Sequence, residues 1–239
     1  MEKIYSYEEL LDIISTLRGE NGCPWDKEQT HKSLIPCLVE ESYELVEALE
    51  NDDIKLMEEE LGDVLMQVLM HAQIANEAGA FSMKEVVNGI ATKLVERHPH
   101  VFKEGMQVET AEQVSEVWDR IKQKEKKEIT LVQSMDRVAK TLPALMRTQK
   151  VQKKAIKAQQ TNSDQIKQID QLIQGLEGLK TQYLQGQKVD IESEIGKILF
   201  EVVKLSAFFD INAEFALTKS LEKFINRFRY IENSRFPED

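Results

Sequence analysis

Between Val39 and Met66 the sequence places pairs of acids on the border of an apolar stripe twice, in the same helical phase. With Glu41 at zero and about 100° per residue, Leu34, Leu45, Leu38, Leu49 and Ser42 spread over roughly the next hundred degrees as an inward-facing stripe. Glu44 sits with Glu41 on its edge. Setting Glu60 at zero spreads Val64, Met57, Val68 and Leu61 over the same range, and Asp63 falls where Glu44 fell. Glu40 is displaced about 100° from Glu41 and has no in-phase counterpart, so Glu41 is the better ligand candidate of the two. Folded as an antiparallel pair about the short Asn51-Asp52-Asp53 turn, the two segments bring Glu41, Glu44, Glu60 and Asp63 together.

Four carboxylates in one place repel one another and raise each other's pKa unless a cation sits among them. An all-oxygen donor set suits Mg²⁺, with Mn²⁺ as a substitute, and excludes zinc, because no cysteine or histidine lies at the right spacing. Acids on a helix are ordinarily solvated surface. Here they adjoin the apolar stripe instead of opposing it, and the pair recurs at identical phase. Gly62 inside the second segment costs about 1 kcal/mol against alanine, which predicts a close backbone approach at that level.

A chain of 239 residues holds one large or two small domains, and 41% hydrophobic residues with 5 prolines and 10 glycines is a turn-poor composition that predicts a mostly helical protein. A net charge of −11 argues against a polynucleotide partner, which demands a basic face, but leaves a metal-escorted small polyphosphate open. No apolar run is long enough to span a membrane, and Met1-Glu2-Lys3-Ile4 lacks a signal-peptide pattern, so the expected location is cytoplasmic. Cys23 and Cys37 then read as reduced thiols.

Taken in order, Ser6 and Glu9 form a capping-box signal for a helix that runs to Arg18 and ends at Gly19 to Gly22. Cys23-Pro24-Trp25-Asp26 is expected to be a loop; base rates favour Trp25 as a core anchor, its other reading being a stacking surface for a base. His71 falls on the inner stripe of the second acidic helix and reads as a satisfied core histidine. Ser82 and Glu85 cap a helix that Pro99 ends, with Lys93 and Arg97 one turn apart on it, just before His98-Pro99-His100-Val101-Phe102, where they can grip phosphate oxygens. Thr110 and Gln113 open the next helix, on which Trp118 and Lys122 share a face. The charged run from Lys122 to Glu128 reads as a solvated helix end leading to the second half.

That second half carries a worn copy of the first. Glu60-Leu61-Gly62-Asp63-Val64-Leu65 reappears as Glu194-Ile195-Gly196-Lys197-Ile198-Leu199, and Lys93-Leu94-Val95-Glu96-Arg97 as Lys223-Phe224-Ile225-Asn226-Arg227. The same offset carries Glu41 and Glu44 onto Gly175 and Gly178, and Asp63 has become Lys197, which would repel a cation and can pair with Glu194 instead. Two domains are expected, residues 1–128 with the intact site and residues 129–239 as a degenerate helical repeat without the metal ligands, and the polar stretch Gln159 to Asp164 reads as the linker between the halves.

Glu40-Glu41-Ser42-Tyr43-Glu44, a spacer of fifteen residues and Glu60-Leu61-Gly62-Asp63 together resemble the signature of the MazG family of nucleoside triphosphate pyrophosphohydrolases. Cys23-Pro24-Trp25-Asp26-Lys27-Glu28-Gln29-Thr30-His31 and Arg97-His98-Pro99-His100-Val101-Phe102 look like two further blocks of that family. The resemblance implies an all-α fold of stacked antiparallel helices, of four-helix-bundle type in two tandem repeats. It implies hydrolysis of nucleoside triphosphates to a monophosphate and pyrophosphate, in nucleotide-pool house-cleaning. It makes Glu41, Glu44, Glu60 and Asp63 the Mg²⁺ ligands and Lys93, Arg97, Trp118 and Lys122 the nucleotide contacts, with Trp25 beside them as a candidate. Glu40 is the spare carboxylate for the proton of the attacking water. A helical protein that senses or scaffolds nucleotides without turnover is the alternative. A di-iron or di-manganese bundle is disfavoured because it wants Glu-x-x-His on its helices. A two-helix hairpin cannot bury its stripe alone, so a homodimer is expected, unless the second half of the same chain supplies the missing helices.

Overall fold

The structure, a computed structural model, describes residues 3–103, 108–126, 130–159, 165–186 and 190–235, and among these every regular element is a helix. None of the described helices is long and apolar enough to cross a membrane. The chain divides into two units, Met1–Lys122 and Gln123–Asp239.

In the first unit, α1 (Tyr7–Arg18) starts at the expected capping box: Ser6 Oγ accepts the Glu9 N–H at 3.2 Å and the Glu9 carboxylate accepts the Ser6 N–H at 2.9 Å. The segment expected to be a loop is instead a short helix, α2 (Pro24–Glu28). Proline at its first position supplies a ready-made helical φ where no N–H is needed, which favours a helix start there. Trp25 on α2 is 58% exposed, so it is no core anchor. A five-residue helix has too little length to bury an indole against its neighbour.

Helices α3 (Ile35–Glu50) and α4 (Ile54–Glu77) form the antiparallel pair, joined through Asn51-Asp52-Asp53. Asp52 takes a left-handed φ of 53°, and the Asp53 carboxylate accepts the N–H groups of Lys55 and Leu56, both at 3.1 Å. The apolar stripes are only partly covered. Leu34 and Ala48 are buried and Leu38, Leu45, Met57 and Val64 half-buried, whereas Ser42, Val68, Leu49 (49%) and Leu61 (53%) are exposed. A stripe about a hundred degrees wide is broader than one partner helix can shield.

Behind the pair lies a core of Ile14, Leu34, Leu69 and Met70, with Leu10, Leu11, Ile74 and Met83 packed on it. Its polar counterpart is Arg18, whose guanidinium grips the Glu77 carboxylate of α4 with two bonds (2.9 and 2.7 Å). The same side chain donates to the carbonyls of Asp26 and of Gln29 (3.2 Å), fastening α1, α2 and the following loop to α4. Helix α5 (Met83–Arg97) carries its own capping box, with Ser82 and Glu85, and ends at His98, after which Pro99 opens the single turn α6 (Pro99–Phe102). Helix α7 (Ala111–Lys126) follows, with Thr110 Oγ1 accepting the Gln113 N–H. It contains most of the charged run that begins at Lys122; residues 127–129 lie outside the described residues.

The second unit contains α8 (Leu131–Asp136), α9 (Ala144–Gln159), α10 (Gln165–Leu184), α11 (Ile191–Phe208) and α12 (Ala213–Arg235). Helices α10 and α11 pair, and α9 packs on α11 and α12. Two buried glutamines of α9 lock it in place: Gln149 donates to the Ile211 carbonyl and accepts from the Ala213 N–H, and Gln152 donates to the Phe200 carbonyl. Of the expected linker, Gln159 ends α9 and residues 160–164 lie outside the described residues.

Gly62 departs from expectation. A Cβ there meets no atom within 4 Å, so it marks no close approach and only adds backbone entropy to the unfolded chain. Gly62→Ala should therefore stabilise the metal-free protein by about 1 kcal/mol, read as a rise in the urea midpoint; an unchanged or lower midpoint would show that something packs on that face.

Candidate metal centre

The phase match read from the sequence becomes a physical meeting point where α3 and α4 cross. One carboxylate oxygen each from Glu41, Glu60 and Asp63 come within 4.8 Å of one another, a spacing that can hold a metal ion. Glu60 is the inward member, buried at 7% exposure, while Glu41 and Asp63 are half-buried. The acids sit three residues apart on each helix, Glu41 with Glu44 and Glu60 with Asp63, so neither helix can turn one away without turning its neighbours.

The electrostatics record the crowding. The Glu41 carboxyl is pushed above its ordinary value by burial first, then by the charges of Asp63 and Glu44, a hydrogen bond with Glu44 and the charge of Glu60. Glu60 is raised likewise by burial, then by Glu44, Asp63 and Glu59. Glu44 is thus within electrostatic reach of both, although its own side chain is exposed and stands outside the three-oxygen group. Glu40 is exposed and also stands outside it.

The donor chemistry fits a hard divalent cation: three carboxylates with no sulfur or nitrogen donor among them. One observation presses the point, because buried Glu60 Oε2 has no hydrogen-bond partner, and a buried carboxylate oxygen without donor or cation is costly.

The remaining candidates lie on the helices that follow. Arg97, at the end of α5, holds its guanidinium 5.2 Å from the Trp118 ring of α7, and the imidazole of His98 meets the same indole edge-on at 5.0 Å. His100 joins the group, 5.7 Å from His98. Lys93 stands exposed one turn before Arg97, and Lys122 is half-buried one turn beyond Trp118. Trp25 stands apart, exposed on α2.

Sequence reasoning did not find three residues that the fold makes prominent: Arg18, Gln67 and His31. Arg18 reads as an ordinary basic residue at a helix end. Gln67 is 3% exposed on α4 in line with Glu60, its Oε1 unpartnered, at a spacing that looks like any polar interruption of an apolar stripe. His31 meets His71, forty positions away.

An all-helical unit whose central antiparallel pair gathers acids from Glu-Glu-x-x-Glu and Glu-x-x-Asp defines a class of carboxylate-centred helical proteins. A sequence model described as the MazG nucleotide pyrophosphohydrolase domain matches residues 29–102, which include both helices. The chain is 37% identical over 226 residues to the nucleoside triphosphate pyrophosphohydrolase/pyrophosphatase MazG of Thermotoga maritima, covering 95% of this chain and 85% of that protein. It is 36% identical over 231 residues to the nucleoside triphosphate pyrophosphohydrolase of Escherichia coli (strain K12), covering 94% and 86%. It is also 50% identical over 233 residues to the uncharacterized protein YabN of Bacillus subtilis, covering 96% of this chain but 47% of YabN, so it spans about half the length of that relative. A crystal structure of a mazG-related protein from Thermotoga maritima aligns with a TM-score of 0.42 at 29% identity, over 48% of this chain and 98% of that one. The chain belongs to the MazG family, a family of hydrolases.

Raised carboxyls have a signed consequence. Glu41 and Glu60 hold their protons more tightly folded than unfolded, so their contribution falls as pH rises from the ordinary value of 4.5 through their raised folded values. Above that window the penalty is complete. Glu41→Gln should therefore raise the melting midpoint of the chelated protein at neutral pH and gain progressively less as the pH is lowered to about 4. An equal effect of the variant at both pH values would show that the carboxylates do not repel.

Proposed function

We propose that this protein hydrolyses nucleoside triphosphates between the α and β phosphates, giving a nucleoside monophosphate and pyrophosphate, in a Mg²⁺-dependent reaction that clears unwanted nucleotides from the cytoplasmic pool. The observation that carries the reading is the convergence of Glu41, Glu60 and Asp63 around a buried, unpartnered Glu60 oxygen. Relatives over most of the chain bear the name nucleoside triphosphate pyrophosphohydrolase, which supports it.

In this reading Glu41, Glu60 and Asp63, with Glu44 at their side, hold the cation. A bound Mg²⁺ supplies positive charge to the phosphate oxygens and makes a coordinated water more acidic. The chain's own residues do the rest. Lys93 and Arg97 present ammonium and guanidinium groups to the polyphosphate, and Trp118 and Lys122 take the nucleoside end, with the indole held by Arg97 and His98. Trp25 offers a second exposed aromatic surface. Water adds to the α phosphorus, the bridging oxygen leaves with pyrophosphate, and the water's proton passes to a carboxylate not committed to the cation, a role this reading gives to Glu40.

The second half, residues 129–239 in this reading, keeps the helical repeat without the chemistry. Glu194 and Lys197 form an ion pair at 2.7 Å on α11, and Gly175 and Gly178 leave α10 without the facing acids. Incubation with mixed nucleoside triphosphates and Mg²⁺ should yield monophosphate and pyrophosphate by chromatography. Asp63→Asn should lower the rate by at least about a hundredfold and Glu40→Gln by about tenfold or more. Diphosphate and orthophosphate as products would overturn the cleavage position. Full turnover by Glu40→Gln would remove Glu40 from the proton's path, and nucleotide bound without turnover would favour a sensing protein.

The same reading makes the protein a homodimer. Val39, Leu49, Leu61, Leu65 and Ile90 stand exposed on α3, α4 and α5, an apolar surface that a second copy can cover. Light scattering on the purified chain should give twice the 27.6 kDa of one chain, and a mass of one chain at micromolar concentration would refute it.

A further inference from the structure

Outside the carboxylate centre, the contact between His31 and His71 is built with unusual economy. Their Nδ1 atoms lie 2.8 Å apart, the ring planes differ by 7° and the ring centroids are 5.1 Å apart. A ring nitrogen lies about 1.15 Å from the centroid of its imidazole, so two such radii added to the nitrogen separation already account for the whole centroid distance. The two nitrogens therefore lie on the line between the centroids, and the rings meet edge to edge in a common plane, not face to face. In that plane each Nδ1 points straight at the other. Such a contact has room for one proton. With none, two lone pairs face each other; with two, a pair of N–H groups collides. A metal ion between them is excluded at this distance, since two imidazole–metal bonds of about 2 Å along one line need roughly 4 Å between the nitrogens.

Burial decides which ring donates. His71 Nε2 is buried and has no hydrogen-bond partner, while His31 is exposed. A proton on His71 Nε2 would leave a buried N–H unpaired, so the proton sits on His71 Nδ1, is donated to His31 Nδ1, and the Nε2–H of His31 faces water. Burial, with His31 as the second cause, also holds His71 below the ordinary imidazole range.

We propose that His31 and His71 form a one-proton latch that fastens the loop before α3 to α4 at neutral pH and opens on acidification. The loop is already stiff: Thr30 and Ser33 cap each other, and Ser33 Oγ donates to Gln29 Oε1. The pair ties this stiff loop directly to α4, in the last third of that helix, in addition to the bridge through Arg18. An added proton has two places to go. On His71 Nε2 it would create a buried charge, and on His31 Nδ1 it turns acceptor into donor, ends the bond and lets the exposed ring swing into water.

The charged groups on the surrounding elements are engaged elsewhere or belong to the exposed surface. Arg18 of α1 is committed to Glu77 of α4, Lys27 of α2 donates to the Glu20 carbonyl, and Glu85 at the start of α5 is folded onto Ser82. Lys32 in the loop and Glu28 on α2 are exposed, and the first turn of α3 contains no acid. The pair's own proton is thus the local variable. Because the loop leads directly into the helix that carries Glu41 and Glu44, opening the latch frees the entry end of α3 without touching the carboxylates.

The latch is independent of the reaction proposed above and is tested without substrate. In the full-length protein with ¹⁵N-labelled histidine, nuclear magnetic resonance at about pH 7.5 should show one slowly exchanging Nδ1–H correlated with two ring nitrogens. Hydrogen-exchange protection of the Leu34, Ile35 and Leu38 amides, corrected for intrinsic rates, should fall about tenfold on going to about pH 5. The Glu41 region of α3 should retain more protection than this entry turn. His31→Ala, an exposed substitution, should abolish the shared proton and make the protection of these amides low and independent of pH. Two imidazoles titrating independently, or the same pH dependence in His31→Ala, would overturn the latch.

Discussion

The constraint that organises the first unit is the crowding of negative charge at the contact between α3 and α4. Glu41, Glu60 and Asp63 are forced together by helix geometry, since each is one element of a repeating face that must also supply leucines and valines to the α3–α4 contact. Moving any acid out would rotate an apolar neighbour out with it. The pair can hold the repulsion because the turn between its helices is short and capped, with Asp52 in a left-handed conformation and Asp53 bound to two amides. A longer connection would let the helices slide apart and relieve the crowding. The structure therefore stores, in the absence of a cation, an unfavourable term that a bound cation would reverse, which makes binding and local stability aspects of one interaction.

Holding such a centre requires a frame that does not yield, and Arg18 supplies much of it. Its side chain is almost fully buried, and four hydrogen bonds leave from it to two carboxylate oxygens and to the carbonyls of Asp26 in α2 and Gln29 just after it. Lysine could not replace it, since a single ammonium cannot span a bidentate carboxylate and two carbonyls at once. Glu77 is held below its usual pKa chiefly by this arginine, so the pair stays charged through the pH range in which the carboxylate centre changes protonation. The frame and the centre thus respond to different pH windows, and the histidine contact on α4 adds another.

What the sequence disclosed and what it hid follow from the range of the interactions involved. Capping boxes at Ser6 and Ser82, the proline stop after Arg97 and the phase of the acids are all decided within one or two turns, so a local reading of residues captures them. The misreadings are of another kind. Cys23-Pro24-Trp25-Asp26 reads as a loop from its proline and polar flanks, yet Pro24 stands at the first position of a helix. Trp25 followed the base rate for a large aromatic, which says nothing about whether a short surface helix has a partner. Gly62 was read as a contact because glycine in a helix needs a reason, and the structure offers none in this chain. Arg18 with Glu77, and His31 with His71, join residues 59 and 40 positions apart, and no periodicity announces such pairs.

The second unit is held together without a cluster of carboxylates like that of the first among its described residues. On α11 a lysine stands three residues after Glu194, and the two neutralise each other at 2.7 Å on a partly exposed face. An exposed pair of this kind contributes little stability, typically below about 1 kcal/mol, so it has not been installed as a structural clamp. Its effect is to remove a liability, since Lys197 supplies the positive charge that a lone Glu194 would lack. The work of fixing the helices passes to neutral hydrogen bonds instead, as buried Gln149 and Gln152 of α9 bind the carbonyls of Ile211 and Phe200. Amides serve there because they tie helices together at any pH and with any ion present. A unit held in this way needs no cation to offset crowded carboxylates, whereas in the first unit a bound cation would relieve the repulsion among Glu41, Glu60 and Asp63.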